Sequence, residues 1–444
     1  MKIFILVVFI LTYVLIISMP KHKMFITLGS AILTAGALLI FGKATFLEVI
    51  NSIDYNVVLM LLGIMITVGL FSDSGMPNKL SEKLVASIPN TMVTLVLLSV
   101  LSGIISAFID NVATVLMLAP IGLQIAKKTN VSPIPVIIAI AVSSNLQGAA
   151  TLVGDTTSIM LGGYANMSFI DFLFMDGRLS IFWAVELGMV FTIPVLFFLF
   201  RKSNKRLTIK AQEVEVTSII PTLLLVLTII MLIIFSFVPK KPDITNGLIC
   251  MSIAIIGIIY FIVKEIKLLK QESKDDRTLK KSIIKFAKDS IDYETIVFLI
   301  SLFVIIFAVD TVGIIDDIAG LFVKVGGKRI FLLYTLIVFI SVFASAFIDN
   351  IPYVATMLPV IKGLVSSINA PYNIEILLYF GLLCGATLGG NLTPVGASAN
   401  VVGIGILRKE GYEVKNSDFF KIGIPFTAVA VLAGYLFCWL VWAY

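Results

Sequence analysis

Apolar runs dominate the chain, and polar positions fall between them rather than alternating with them. Crossing about 30 Å of hydrocarbon takes about 20 mostly apolar residues. Runs of that kind lie at 3–19, 24–42, 55–71, 180–200, 216–238, 244–263, 291–309 and 419–442, and each predicts a membrane-spanning helix. The first, Ile3 to Met19, is followed by Pro20-Lys21-His22-Lys23 without a small-residue cleavage site, so it reads as a retained helix rather than a signal peptide.

Four further apolar stretches are interrupted. Residues 92–126 are broken at Asp110-Asn111 and 330–361 at Asp349-Asn350, while 133–165 is broken across 148–158 and 374–406 across 385–398. Lipid leaves backbone polar groups unpaired, so Gly-rich polar breaks at membrane depth belong inside the protein or along a cavity. Function is therefore expected at these breaks.

The breaks recur. Ser106-Ala-Phe-Ile-Asp-Asn111 repeats identically as Ser345-Ala-Phe-Ile-Asp-Asn350, 239 residues later; Ser52-Ile-Asp-Tyr55 matches Ser290-Ile-Asp-Tyr293, and Thr151-Leu-Val-Gly154 matches Thr393-Pro-Val-Gly396. Three matches in one order predict two homologous halves, 1–210 and 211–444. Basic residues cluster at Arg201, Lys202, Lys205, Arg206 and Lys210, and again at Lys264, Lys267, Lys270, Lys274, Arg277, Lys280, Lys281, Lys285 and Lys288. The positive-inside rule makes both segments cytoplasmic, the second a linker over 264–290. Counting spans from them puts Asp54 outside and Asp292 inside, so each half crosses an odd number of times. The predicted fold is an all-α polytopic membrane protein, an inverted repeat of two five-span halves with both termini outside. Each half has one broken helix and one re-entrant hairpin, at about 92–126 and about 330–368. Two full spans at Asp110-Asn111 would give the same parity; length favours the hairpin, because after Asn350 the apolar run ends at Ile361, before Lys362.

Composition narrows the classes. The 444 residues are 59% hydrophobic and 14% charged, against about 25% charge in soluble domains, which identifies an integral membrane protein. The net charge of +6 sits largely in the two basic segments and offers no exposed face for nucleic acid. The single His22 and the dispersed Cys250, Cys384 and Cys438 exclude His-based metal sites, Ser-His catalysis and a disulfide framework, so no enzyme is expected.

Discontinuous helices in an inverted repeat are the construction of secondary transporters, in which half-helix ends and unwound backbone hold ion and substrate. Candidate binding residues are Asp110, Asn111, Thr114, Asn145, Thr151, Gly154, Asp155, Thr156, Thr157, Asp349, Asn350, Asn391, Thr393, Gly396, Ser398 and Asn400. Carboxylates at depth are costly unless protonated, paired or bound to a cation, which makes Asp110, Asp155 and Asp349 the sharpest of these. Each can also cap the half-helix that follows it, and the two roles are compatible. Glu186, inside a span, reads either as a proton relay or as a helix–helix hydrogen-bonding group. Asp73, Asp310, Asp316 and Asp317 fall near span ends and are expected to be wetted.

At Ser106-Ala-Phe-Ile-Asp-Asn-Val-Ala-Thr114, Ser345-Ala-Phe-Ile-Asp-Asn350 and Gly389-Gly-Asn-Leu-Thr-Pro-Val-Gly-Ala-Ser-Ala-Asn400 the sequence resembles the ion transporter superfamily. Nearest is its arsenite permease, sodium/proton antiporter and P protein group, with a citrate-transporter-like domain. The resemblance implies a homodimer whose transport domain moves, elevator fashion, against a scaffold. Dicarboxylate carriers of that superfamily carry Ser-Asn-Thr at the hairpin tips, where this chain has Asp110-Asn111 and Asp349-Asn350. Three carboxylates around one cavity favour cations and repel a doubly charged carboxylate. The reading is cation-coupled secondary transport, with Na+ or H+ as coupling ion, Na+ held at the same site, no organic cofactor, and Na+/H+ exchange as the leading activity. Arsenite or antimonite efflux, which would admit an energising ATPase subunit, and Na+-coupled uptake of a small carboxylate or oxyanion are the alternatives. Membrane lipid and a small inorganic ion or oxyanion are the expected partners, and the cytoplasmic membrane of a prokaryote the expected location.

Overall fold

A computed structural model describes residues 1–206, 215–271 and 276–444. Lys210, Lys274 and the boundary between 210 and 211 lie outside the described residues. Among the described residues the regular structure is helical apart from a two-stranded ribbon pairing Phe174–Met175 with Arg178–Leu179 and an isolated Asn90–Arg206 bridge. Its α-helices are α1 (Lys2–Ser18), α2 (Lys23–Ile40), α3 (Phe46–Asn51), α4 (Tyr55–Asp73), α5 (Met76–Ser87), α6 (Thr91–Ser106), α7 (Asn111–Thr129), α8 (Pro133–Gln147), α9 (Thr156–Tyr164) and α10 (Ile181–Phe200). They continue as α11 (Ile220–Ser236), α12 (Thr245–Gln271), α13 (Asp276–Ser290), α14 (Tyr293–Thr311), α15 (Ile314–Gly326), α16 (Ile330–Ser345), α17 (Asn350–Ile368), α18 (Tyr372–Gly389), α19 (Ser398–Lys409) and α20 (Asn416–Trp442). Among the described residues eight helical runs are long and apolar enough to cross a membrane, and α1, α6, α8, α11 and α16 are shorter apolar helices. The protein is a multi-pass helical membrane protein.

Local sequence explains the boundaries. Asp54, Asn90, Asp110, Asp155, Asp292 and Asp349 each accept a backbone N–H from the first turn of the helix that follows, as short polar side chains do at N-caps. Both α7 and α17 contain a proline, Pro120 and Pro359, and end on an asparagine in the left-handed region, Asn130 and Asn369. Asparagine tolerates that conformation better than other side-chain-bearing residues, so the chain turns there at little cost.

All eight expected apolar runs are helical with shifted ends; six are among the helices long enough to cross a membrane, whereas α1 and α11 are shorter. The two broken stretches divide into α8 and α9 around residues 148–155 and into α18 and α19 around 390–397. Two expectations change. Where a linker over 264–290 is expected, the described residues belong to α12, which ends at Gln271, and to α13, which begins at Asp276: Phe286 is buried and stacks on Phe261 at 4.5 Å. Helix α17 continues past Lys362 to Ile368, 19 residues in all, so length does not separate a hairpin from a pair of spans. The Lys362 ammonium lies 5.7 Å from the Tyr164 ring centroid, and Tyr164 lines a second cavity.

Packing puts the functional breaks at the centre. α4 packs on α12 and α14 on α2, α6 packs on α8 and α16 on α18, and α10 packs on α20. Helices α4 and α14 run in opposite directions: the end of α4 and the start of α14 line one cavity, and the start of α4 and the end of α14 line another. Helices α8 and α18, almost entirely buried, occupy the middle of one continuous hydrophobic core.

Candidate functional site

The first cavity, of about 510 Å3, is where the interruptions meet. Its wall includes Asp110 and Asn111 from the α6–α7 tip, Asp349 and Asn350 from the α16–α17 tip, Gly154, Asp155, Thr156 and Thr157 from the break before α9, Ser398 from the start of α19, and Asn145 from α8. Ten of the residues singled out in the sequence thus come together. Thr151, Asn391, Thr393, Gly396, Asn400 and Thr114 sit behind that wall, and Glu186 lies apart from it beside Gln147.

All three aspartates cap helices, and each uses one oxygen to do so. Asp110 Oδ1 accepts from the Val112 and Ala113 amides at 2.9 and 3.2 Å. Asp349 Oδ1 accepts from the Ile351 amide at 3.4 Å, and its Oδ2 receives the Lys23 ammonium at 3.0 Å. Asp155 Oδ1 accepts from the Thr157 and Ser158 amides at 2.6 and 3.1 Å and from the Thr157 hydroxyl at 2.5 Å. The second Asp155 oxygen, Oδ2, is buried with no hydrogen-bond partner. A buried polar atom without a partner costs about 1–3 kcal/mol, more if charged, and calls for an explanation such as strain, function or a bound water or ion; of eleven such side-chain atoms among the described residues this is the one carboxylate oxygen.

Behind the wall, side chains from the two halves of the chain are tied together. Asn145 Oδ1 accepts from Asn111 Nδ2 at 2.9 Å, and its Nδ2 donates to the Thr387 carbonyl at 2.8 Å and to Asn391 Oδ1 at 3.1 Å. Asn391 in turn donates to the Val142 carbonyl at 2.9 Å. The unwound segments are held by the same bonds twice: the Thr151 hydroxyl donates to the Ala107 carbonyl and the Thr393 hydroxyl to the Ala346 carbonyl, while Ser158 and Asn400 donate to the Gly148 and Gly390 carbonyls, each at 3.0 Å.

Glycine is required where the unwound segments close on themselves. A Cβ on Gly154 would stand 2.5 Å from the Gly148 carbonyl oxygen, and one on Gly396 would stand 2.7 Å from that of Gly390. Backbone on both sides leaves no side chain to yield. Gly154→Ala and Gly396→Ala are each expected to destabilise the protein by about 1–3 kcal/mol, the usual range for overpacking. Earlier thermal aggregation on fluorescence-detected size-exclusion chromatography reads this out, with Gly405→Ala, whose Cβ would meet open space, as the unchanged control.

Sequence reasoning missed Lys23, Asp292 and Glu294, which also line the cavity. In sequence Lys23 only closes the polar stretch after the first apolar run, and Asp292 only marks the repeat and its sidedness. The available signal was the position of Lys23 at the very start of an otherwise apolar run.

The sequence profile of the family described as citrate transporter matches residues 13–380. The chain belongs to the citrate transporter family. This family member is 30% identical to the 46 kDa membrane protein of Mycobacterium leprae over 443 residues, 99% of each chain. It is 26% identical to the Homo sapiens P protein, covering 95% of this chain and 58% of that one. The solved Alcanivorax borkumensis YdaH transporter superposes with a TM-score of 0.57 over 90% of this chain and 88% of its own, at 14% identity, a likeness of fold alone. As a member of the citrate transporter family the protein is a secondary transporter.

Proposed function

We propose that the transporter is cation-coupled and that its leading activity is Na+/H+ exchange at the cavity floored by Asp110, Asp155 and Asp349. The observation that carries this reading is the partnerless Asp155 Oδ2, on a cavity whose described lining has Asp110, Asp155, Asp289, Asp292, Glu294 and Asp349 against Lys23 and Lys288. Asp155 is buried and Asp110 and Asp349 half-buried, and carboxylates so placed call for bound cations or protons, while a doubly charged substrate would meet repulsion from the whole set. Thr157, Asn111 and Asn145 supply neutral oxygens nearby, the hard ligands a small cation prefers.

The two halves are read as an inverted repeat. The antiparallel course of α4 and α14, the recurring proline and asparagine of α7 and α17, and the duplicated bonds of Thr151 and Thr393 all support it. The cavity is read as cytoplasm-facing, because Lys288 lies on it and Lys264 and Lys285 flank Asp73 at the same end of α4. Exposure of the site first to one side and then to the other would follow from movement of the two tips with their broken helices.

A second reading, cation-coupled uptake of a small carboxylate, is favoured by one contrast between the halves. Asp155 caps α9, whereas the N-cap of α19 is Ala397, with no side-chain cap, and Ser398 opens onto the cavity. An uncapped helix N-terminus attracts anions. Equilibrium binding of radiolabelled Na+ to purified protein separates the readings. Exchange predicts Na+ binding that is displaced by protons and Li+ and indifferent to citrate; co-transport predicts that citrate tightens it; absence of saturable Na+ binding would sink both.

A further inference from the structure

The transported cation is not the only one the cavity is built around. Lys23 begins α2, and its ammonium reaches Asp349 Oδ2 at 3.0 Å, a residue 326 positions away at the tip between α16 and α17. Both partners are mostly buried, with side-chain exposures of 20% and 18%. The ammonium also lies 5.2 Å from the Phe298 ring centroid on α14, an apolar wall with a favourable cation–π face. Two further carboxylates at the start of α14, Asp292 and Glu294, line the same cavity. The neighbouring α1 is joined to the same hairpin arm independently: the Tyr13 hydroxyl donates to the Pro352 carbonyl at 2.6 Å and meets the Thr356 hydroxyl at 2.5 Å.

We propose that Lys23 is a tethered counter-cation that neutralises Asp349 while the cavity lacks its transported cation, competes with that cation for the site, and moves to Asp292 and Glu294 when the cation arrives. This rests on the reading of the cavity as a cation site. A flexible four-carbon stem carrying a compact charge suits such an exchange of partners, whereas a planar guanidinium would hold a carboxylate through two bonds and leave less readily. The same tether links occupancy to structure. The ion pair joins the α16–α17 tip to α2, and once Lys23 moves away Tyr13 still joins α1 to α17.

The competition has a sign that a purely structural lysine would not produce. The experiment is a thermal-shift titration of purified full-length protein with NaCl, at constant ionic strength held with choline chloride. Lys23→Met is expected to lower the half-saturating Na+ concentration about tenfold relative to wild type, even though the Na+-free protein melts earlier; Lys23→Arg, which keeps the charge, is expected to stay at or above the wild-type value. Should Lys23→Met fail to accumulate without Na+, its recovery in high NaCl, together with the same tightening in Lys23→Gln, carries the same meaning. Half-saturation unchanged or raised in both neutral variants, with the Na+ response lost in Asp155→Asn, would overturn the lysine's role and leave the cation site standing. A Na+ response that survives in Asp155→Asn, or one absent from the wild type, would overturn the cation site and the competition together.

Discussion

Asp155→Asn is expected to cut Na+-dependent flux by at least about 100-fold while the protein still reaches the membrane intact. The substitution is close to isosteric. Its remaining carbonyl oxygen still accepts from the Thr157 and Ser158 amides, so the cap of α9 survives. What disappears is the charge on the oxygen that has no partner. Losing one charged ligand from a water-poor site costs more than losing a neutral hydrogen bond, and a hundredfold in rate corresponds to about 2.7 kcal/mol. Thr157→Val, which removes one neutral donor to the same carboxylate, is expected to cost about tenfold or less. Initial rates in vesicles, normalised to transporter content, give both numbers. Equal, small losses in the two variants would mean that Asp155 serves only as a helix cap.

Asn145→Leu is expected to have the largest structural effect of any substitution in the cavity. Asn145 is completely buried and joins Asn111 in the first half to Thr387 and Asn391 in the second. Leucine matches its size but leaves the Asn111 amide, the Thr387 carbonyl and the Asn391 amide oxygen without this partner. At about 1–3 kcal/mol for each stranded buried group, the loss is of the order of 3 kcal/mol or more, a large share of the stability of most proteins. Thermal unfolding in detergent checks it against Ser366→Ala, which removes only an exposed hydroxyl bonded within its own helix. A melting temperature matching that control would show that the halves are not held together through Asn145.

How much of this was legible in the sequence depended on the range of the interaction. Asp110-Asn111 and Asp349-Asn350 stood out because polar pairs inside long apolar runs are rare and these two are repeated; the cavity brings both together with the Asp155 break. The capping oxygens were legible too, since a cap bonds only two or three residues ahead. Lys23 was not, because nothing local distinguishes a lysine in a basic turn from one whose partner is 326 residues away. The amphipathic α13 was hidden by its own charge: a run of lysines reads as a solvated loop, and only the packing of Phe286 on Phe261 reveals a helix with a buried side. The role of Asn145 as the junction of the two halves likewise depends on Thr387 and Asn391, whose proximity no spacing announces. Glu186 is not among the residues that line the cavity.

The central claim is that protons and a small cation share the carboxylates of one cavity. Its most direct test is a proton-flux measurement in proteoliposomes holding the purified protein, with an internal pH-sensitive dye and the membrane potential clamped by potassium and valinomycin. The account predicts that adding NaCl outside drives saturable proton movement in the opposite direction, abolished in Asp155→Asn and unaltered by citrate or arsenite. No Na+-driven proton movement in the wild type, with citrate or arsenite accumulating instead, would contradict it.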